Sequence, residues 1–422
     1  MHLLVKNAHI VGPESFDGDL LTTDGTITAT GVNLSAPAKT TVIDAKGATL
    51  MPGLVDVHVH FREPGFTAKE TIKTGAQAAA HGGFTTVVAM PNLDPVPDNV
   101  TTLTQLVAKN QHDAKIHVLQ FAAITKGLHS QDRTDYAGLK KAGALGFSND
   151  GVGVQDAATI YAAMQGAAAV QAPIVAHIED EGLRGDGVMN AGPYADKLGL
   201  PGMSNLTETA QLARDLVLAE AAGVHYHACH VSTALSVQLI REAKARGVHV
   251  TAEVSPHHLL LADKDIPEDN AMFKMNPPLR SETDRQALIA GLQDGTLDMI
   301  ATDHAPHTAS EKAGSMRSAA FGIVGSETAF ALLYTAFVQP GIWTLAQLVG
   351  WMSTKPAAAF GLSAGHLRIG DAADFTLVDL NQPYTIDPTS WLSKGHNSPF
   401  IGRKVQGTVL VTVAGGRIAY KA

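Results

Sequence analysis

The sequence predicts an α/β fold, a (β/α)8 TIM-like barrel with a small β-sandwich domain formed by its N- and C-terminal segments. Three observations predict it. Between residues 53 and 362, short apolar runs alternate with amphipathic helical segments, the rhythm of parallel strands covered by helices. Both chain ends instead carry short alternating runs split by Gly, Asp and Asn turns, with no helical period. Each end, at roughly fifty residues, is too short to bury a convincing core alone, so the two are expected to share one.

Residues 1–52 supply "HLLVKNAHIV", "TITATG" and "TTVIDAKGATLMPG" as strands and hairpins of the sandwich. The barrel, residues 53–362, supplies eight strand candidates: "GLVDVHVH", "FTTVVAM", "KIHVLQFA", "GALGFS", "PIVAHI", "VHYHAC", "VHVTAEV" and "LDMIAT". Helical segments such as "TAKETIKTGAQAAAHG", "QDAATIYAAMQGAAAV", "LTETAQLARDLVLAEAAG" and "STALSVQLIREAKARG" fall between them, several ending at glycine. Residues 363–422 return to strands in "LRIGDAADFTLVDL" and "KVQGTVLVTVAGGRIAYKA". An open doubly wound sheet would show the same alternation, so closure is an expectation drawn from the count of eight.

A formal net charge of −9 gives no basic field for a nucleic-acid backbone and favours a small-molecule partner. The single cysteine, Cys229, excludes an intrachain disulfide and a cysteine-based zinc cluster, and fits a reducing cytoplasm. The N-terminal stretch "MHLLVKNAHIVGPESFDG" lacks an apolar leader core, and no run approaches the ~20 apolar residues of a membrane span. The expectation is a soluble cytoplasmic protein with no membrane contact.

Barrel chemistry is built at the C-terminal ends of the strands. There the sequence places His58 and His60, then Asp150, His177, His230 and Asp303. Side chains two apart on a strand face the same way, so His58 and His60 point together. Four imidazoles and two carboxylates suit two divalent ions with open positions for water and substrate, zinc fitting nitrogen-rich ligation best. Such a pair would generate a nucleophile and polarise a carbonyl, which points to hydrolysis of an amide or imide. A lone strand histidine is usually structural, the reading kept for His112, His117, His129, His225 and His249. His227 is a closer case between ligand and structural residue, on the face opposite His230, and His257 with His258 in "SPHHLLL" suit a supporting role. Asp150 and Asp303 would, away from strand ends, be read as caps or turn residues.

The motifs "PGLVDVHVHFREPG", "MPNLDP", "GFSNDG", "HIED", "ACHVST", "MNPPLR" and "ATDHAPH" together resemble the bacterial class I dihydroorotases of the amidohydrolase superfamily, over essentially the whole chain. The resemblance implies two zinc ions per subunit. His58, His60 and Asp303 would hold the first and His177 and His230 the second, with Asp150 bridging. Hydantoinases and allantoinases are similar but bridge through a carboxylated lysine, which "ALGFSNDG" lacks. The implied reaction is reversible cyclisation of N-carbamoyl-L-aspartate to (S)-dihydroorotate plus water, in pyrimidine biosynthesis. A metal-bridging hydroxide would attack the ring carbonyl, and Asp303 would carry the proton to the leaving nitrogen.

For the substrate, His60, Arg62, Asn92, Asn276, His307 and the backbone of Phe321 and Gly322 are the implied contacts. A guanidinium fork at Arg62 matches a carboxylate; a surface salt bridge is the plain alternative, as a turn role is for Asn92 and Asn276. One departure is "SAAFGIVG", where alanine precedes Phe-Gly in place of the expected proline. The long segment "HTASEKAGSMRSAAFGIVG" reads either as a moving cover or as a long βα-loop. The resemblance suggests a homodimer. The alternatives are a hydantoinase- or allantoinase-like cyclic amidohydrolase, or a non-catalytic homologue that partners aspartate transcarbamoylase.

Overall fold

A computed structural model describes residues 2–12 and 15–422. Eight parallel strands form one sheet in chain order: Leu54–Val59, Phe84–Ala89, His117–Ala123, Ala144–Ser148, Ile174–Ala176, Tyr226–Ala228, Val250–Val254 and Met299–Ile300. Every strand candidate of the barrel is therefore a strand. Between the last and the first, the ring closes through a bridge between Val59 and His304 and the bond from His60 N to His304 O (2.9 Å). Asp56 reinforces that seam, its carboxylate accepting from Thr302 N at 3.1 Å and Thr302 Oγ1 at 2.5 Å.

The helices form where caps and apolar faces coincide. Helix Ile72–His81 starts at Thr71, whose hydroxyl accepts from Thr74 N, and buries Ile72, Ala76, Ala79 and Ala80 against the sheet. It stops at Gly82, where an added Cβ would lie 1.8 Å from Ser326 O. Helix Leu206–Ala222 ends at Gly223 in the left-handed conformation (φ +65°), as the glycine-stop pattern predicts. No described helix is long and apolar enough to cross a membrane.

The terminal strands build a second sheet. Phe375–Thr385 pairs antiparallel with Thr49–Pro52 from the other end of the chain, and Thr49–Pro52 joins His2–Ile10 in parallel. One hydrogen-bonded path thus runs from Arg417–Lys421 to Thr26–Gly31, and it encloses an apolar core that includes Leu3, Leu20, Ile27, Leu50, Phe375 and Val413. Gly53 joins the two sheets; its carbonyl accepts from Ser353 Oγ at 2.6 Å, and a Cβ there would meet Thr85 Oγ1 at 2.1 Å.

The alternation of the first barrel strand is interrupted. Val55 and Val57 pack inside the barrel with Phe121, Val175 and Cys229, whereas Leu54 and Val59 pack outward among the helices. Between Asp56 and Val59 the register against the second strand slips by one residue. That irregularity turns His58 and His60 inward, where a regular strand would aim them at the helices.

Helix Leu206–Ala222 also carries a buried carboxylate with a pH signature. Asp215 accepts from Tyr226 Oη at 3.0 Å and Arg214 Nε at 2.8 Å, yet burial outweighs both and pushes its carboxyl up to about 6. A carboxyl raised above its ordinary value of 3.8 favours folding while protonated. That contribution is complete below its unfolded pKa and is lost as pH rises through about 6. Asp215→Asn should therefore gain stability relative to the parent between pH 4 and 7, by on the order of 2–3 kcal/mol. Urea unfolding at both pH values checks this; a pH-independent difference would exclude it.

Candidate functional site

The C-terminal ends of the barrel strands converge on Asp150. Its Oδ1 lies 3.3 Å from His58 Nε2, 3.5 Å from His177 Nδ1 and 3.7 Å from His230 Nε2, and its Oδ2 lies 3.4 Å from His60 Nε2. Asp303 Oδ1 completes the cluster, 3.1 Å from His60 Nε2 and 3.4 Å from His58 Nε2. All six side chains are buried. They fall into two groups that could each hold a metal ion, His58–His60–Asp303 and Asp150–His177–His230, with ligand atoms within 4.8 Å of one another in each.

The donor set fits divalent cations. His58 Nε2 and Asp150 Oδ1 face each other across the cluster, buried without a hydrogen-bond partner, an arrangement that costs free energy unless something else satisfies them. Burial opposes charge here, but the groups override it for one another. His58 is raised well above its ordinary value by Glu253, Asp150 and Asp303, and His177 is raised to about 10 by Asp150 and Glu179. Asp150 is held well below the usual carboxylate range, chiefly by His58, and Asp303 likewise by His58 and His60. His58 and His177, which hold protons against burial, are where cations would displace those protons, whereas burial with Arg62 nearby lowers His60.

The backbone is strained where it delivers these groups. Arg62, His230 and Asp303 all adopt left-handed conformations, at φ +61°, +33° and +50°. Such conformations in non-glycine residues gather at functional sites, because the surrounding structure must hold them.

Arg62 is buried beside the cluster, its Nε donating to Pro306 O (3.3 Å) and its Nη2 3.4 Å from His307 Nε2. These partners are a carbonyl and an imidazole, so the surface salt bridge is not its role. Asn92 Oδ1 accepts from His60 Nδ1 at 3.0 Å, and Asn276 Nδ2 donates to Glu179. His307 Nε2 donates to Phe321 O at 2.8 Å, and burial with Arg62 nearby lowers its pKa to about 3, leaving the ring neutral.

Gly322 is less available than Arg62. Its N–H already donates to Lys274 O (3.0 Å), and its carbonyl accepts from Lys312 Nζ (2.9 Å) and Asn397 Nδ2 (3.0 Å). At φ +126°, with Ala305 Cβ 2.7 Å from any added Cβ, the position requires glycine. The segment before it is tied down rather than loose. Lys312 Nζ also donates to Lys274 O and Ala320 O, and Lys69 pairs with Glu311 at 2.7 Å. Alanine at 320 has a local reason: its N–H donates to Glu311 O (2.9 Å), a bond proline cannot make.

Among the remaining histidines, His117 pairs with Asp374 and His112 with Asp113, away from the cluster. His258 Nε2 meets Pro277 O at 3.1 Å, while His257 Nε2 is buried without a partner. Three acidic residues escaped the sequence reading. Glu253 accepts from His58 Nδ1 at 2.5 Å, Glu179 approaches His177 Nε2 at 3.8 Å, and Glu70 approaches His304 Nε2 at 3.6 Å. A charged residue inside the apolar run "VTAEV" was the available signal for Glu253.

Comparison with known proteins agrees with this geometry. A family model described as "Dihydro-orotase-like" matches residues 47–236. The dihydroorotase of Lactiplantibacillus plantarum is 59% identical over 425 residues, covering 100% of this chain and 99% of that protein. That of Enterococcus faecalis is 54% identical over 422 residues, with 100% and 99% covered. Among solved structures, the L-hydantoinase of Arthrobacter aurescens superposes with a TM-score of 0.88 at 26% identity, covering 99% of this chain and 96% of the other. A D-hydantoinase from Thermus sp. gives 0.86 at 27%, covering 99% and 95%. With full-length relatives at more than half identity, the chain belongs to the dihydroorotase family.

Proposed function

We propose that this chain interconverts N-carbamoyl-L-aspartate and (S)-dihydroorotate in the cytoplasm as a step of pyrimidine biosynthesis, with a two-zinc site at the barrel mouth. The observation that carries the reading is Asp150, a carboxylate and not a lysine, set among four imidazoles in a chain so similar to dihydroorotases. His58, His60 and Asp303 would hold one ion, His177 and His230 the other, and Asp150 both. When bound, two such ions supply an ionised water at neutral pH and polarise a carbonyl oxygen.

The chain's own groups do the rest. Asp303 is ionised and buried, so it takes the proton of the attacking water and delivers it to the ring nitrogen as the amide bond opens. In the cyclising direction the same carboxylate removes the proton from the carbamoyl nitrogen. Arg62 holds the substrate carboxylate, which replaces its weak carbonyl and imidazole contacts with a charge-assisted pair. Asn92 turns His60 by its Nδ1, so that Nε2 faces Asp303. Asn276, His307 and the Phe321–Gly322 backbone line the remaining side of the substrate.

The test is turnover of zinc-loaded protein with dihydroorotate and with hydantoin at equal concentration, before and after chelation. Dihydroorotate should be strongly preferred, activity should vanish on chelation, and zinc should restore it. Equal or better turnover of hydantoin would favour the reading suggested by the hydantoinase-like structures. No turnover by protein that retains zinc would point to a non-catalytic homologue.

A further inference from the structure

We infer that Glu253 is the positioning residue of the metal centre, itself held by a hydrogen-bonded chain that crosses the barrel interior from His225 to His58. The inference rests on the two-metal reading above, and its geometry is continuous. His225 Nε2 lies 2.8 Å from Thr251 Oγ1, which lies 2.8 Å from His227 Nδ1. His227 Nε2 lies 3.0 Å from Glu253 Oε2, and Glu253 Oε1 lies 2.5 Å from His58 Nδ1. His227, Glu253 and His58 are fully buried.

Donor and acceptor rules make this chain run one way. A carboxylate only accepts, so His227 Nε2 and His58 Nδ1 both carry hydrogen. In the neutral imidazole that leaves the His58 Nε2 lone pair aimed at Asp150 and Asp303, where a metal would sit. His227 Nδ1 is then an acceptor and takes the Thr251 hydroxyl hydrogen, while Thr251 Oγ1 accepts from His225. Every link is satisfied without conflict, and both ring nitrogens of His227 are consumed. Thus His227, Cys229 and Glu253, close enough together to resemble a further metal group, instead form a support for the first one.

Glu253 also reaches the other half of the centre. Its Oε1 accepts from the backbone N–H of His230 at 3.2 Å, at the residue whose φ is +33°. One carboxylate thus fixes the ring of one candidate ligand and the strained backbone of another. His60 has only the neutral Asn92 amide in the equivalent place. A charged partner on the far nitrogen raises the basicity of the ligating one, and losing such a partner typically weakens metal binding about 10- to 100-fold.

The experiment is chelator competition on zinc-loaded full-length protein, comparing the parent with Glu253→Gln, which keeps the shape and removes the charge, and with Thr251→Val, which breaks the chain one link further out. Glu253→Gln should release zinc at about 10- to 100-fold lower chelator activity. Thr251→Val should shift the same way by less. Excess zinc should restore turnover to Glu253→Gln, a rescue that a defect of folding would not show. Zinc retention by Glu253→Gln equal to the parent overturns the inference, as does lost turnover that excess zinc fails to restore. A parent protein that retains no zinc overturns instead the two-metal reading on which it rests.

Discussion

Asp303→Asn is expected to lower kcat in both directions by on the order of 10⁴-fold, with little change in KM, because proton transfer by a positioned group contributes roughly 10²–10⁴ and a candidate ligand charge is lost with it. The carboxylate sits just beyond the eighth strand with its backbone held left-handed, and its Oδ1 is 3.1 Å from His60 Nε2. His58 and His60 keep it ionised against the cost of burial, so it stands ready to accept a proton. Asparagine preserves the volume but cannot accept one. Hydrolysis and cyclisation share one transition state, so the two rates should fall by the same factor. Substrate affinity should persist because its carboxylate is held elsewhere, at Arg62. Steady-state kinetics in both directions, with zinc content measured alongside, separates loss of the proton carrier from loss of the ion. A variant that keeps parental activity would remove Asp303 from its catalytic role.

The eight strands were legible because each is a short apolar run bounded by turn residues, and the strand-end histidines and aspartates were legible because barrel topology says where to look. The way His58 and His60 turn inward was not. Strict alternation with the inward Val55 and Val57 aims both rings at the helices, and the slip between Asp56 and Val59 that reverses this depends on pairing with the second strand. Glu253 shows the same limit at longer range. Its partners His58 and His230 lie on other strands, so nothing local marks it except a charge in an apolar run. From its small residues, the segment after His307 fits a moving cover and a long loop equally well. Its order comes from Lys312, a buried lysine that spends its ammonium on the carbonyls of Lys274, Ala320 and Gly322, an arrangement no spacing rule reveals.

Arg62→Met is expected to raise KM for dihydroorotate by about 10- to 150-fold while leaving kcat much less affected, the range that a charged hydrogen bond of about 1.5–3 kcal/mol implies. The residue follows the two histidines at once, and its left-handed backbone, φ +61°, swings the side chain back over the mouth of the barrel toward Pro306 and His307. A buried guanidinium whose nearest described contacts are a carbonyl at 3.3 Å and an imidazole at 3.4 Å has more to gain from a directly bound carboxylate than an exposed one would. A guanidinium offers that carboxylate two parallel donors, whereas an ammonium offers a point charge, so Arg62→Lys should recover only part of the loss. Neutral inhibitors of similar size should bind the parent and Arg62→Met alike, while dicarboxylate inhibitors should lose affinity in step with KM. If kcat fell instead and KM held, Arg62 would be acting on the transition state and not on the bound carboxylate. The order of residues in "HVHFR" would then place a second charge at the reaction centre in place of an anchor beside it.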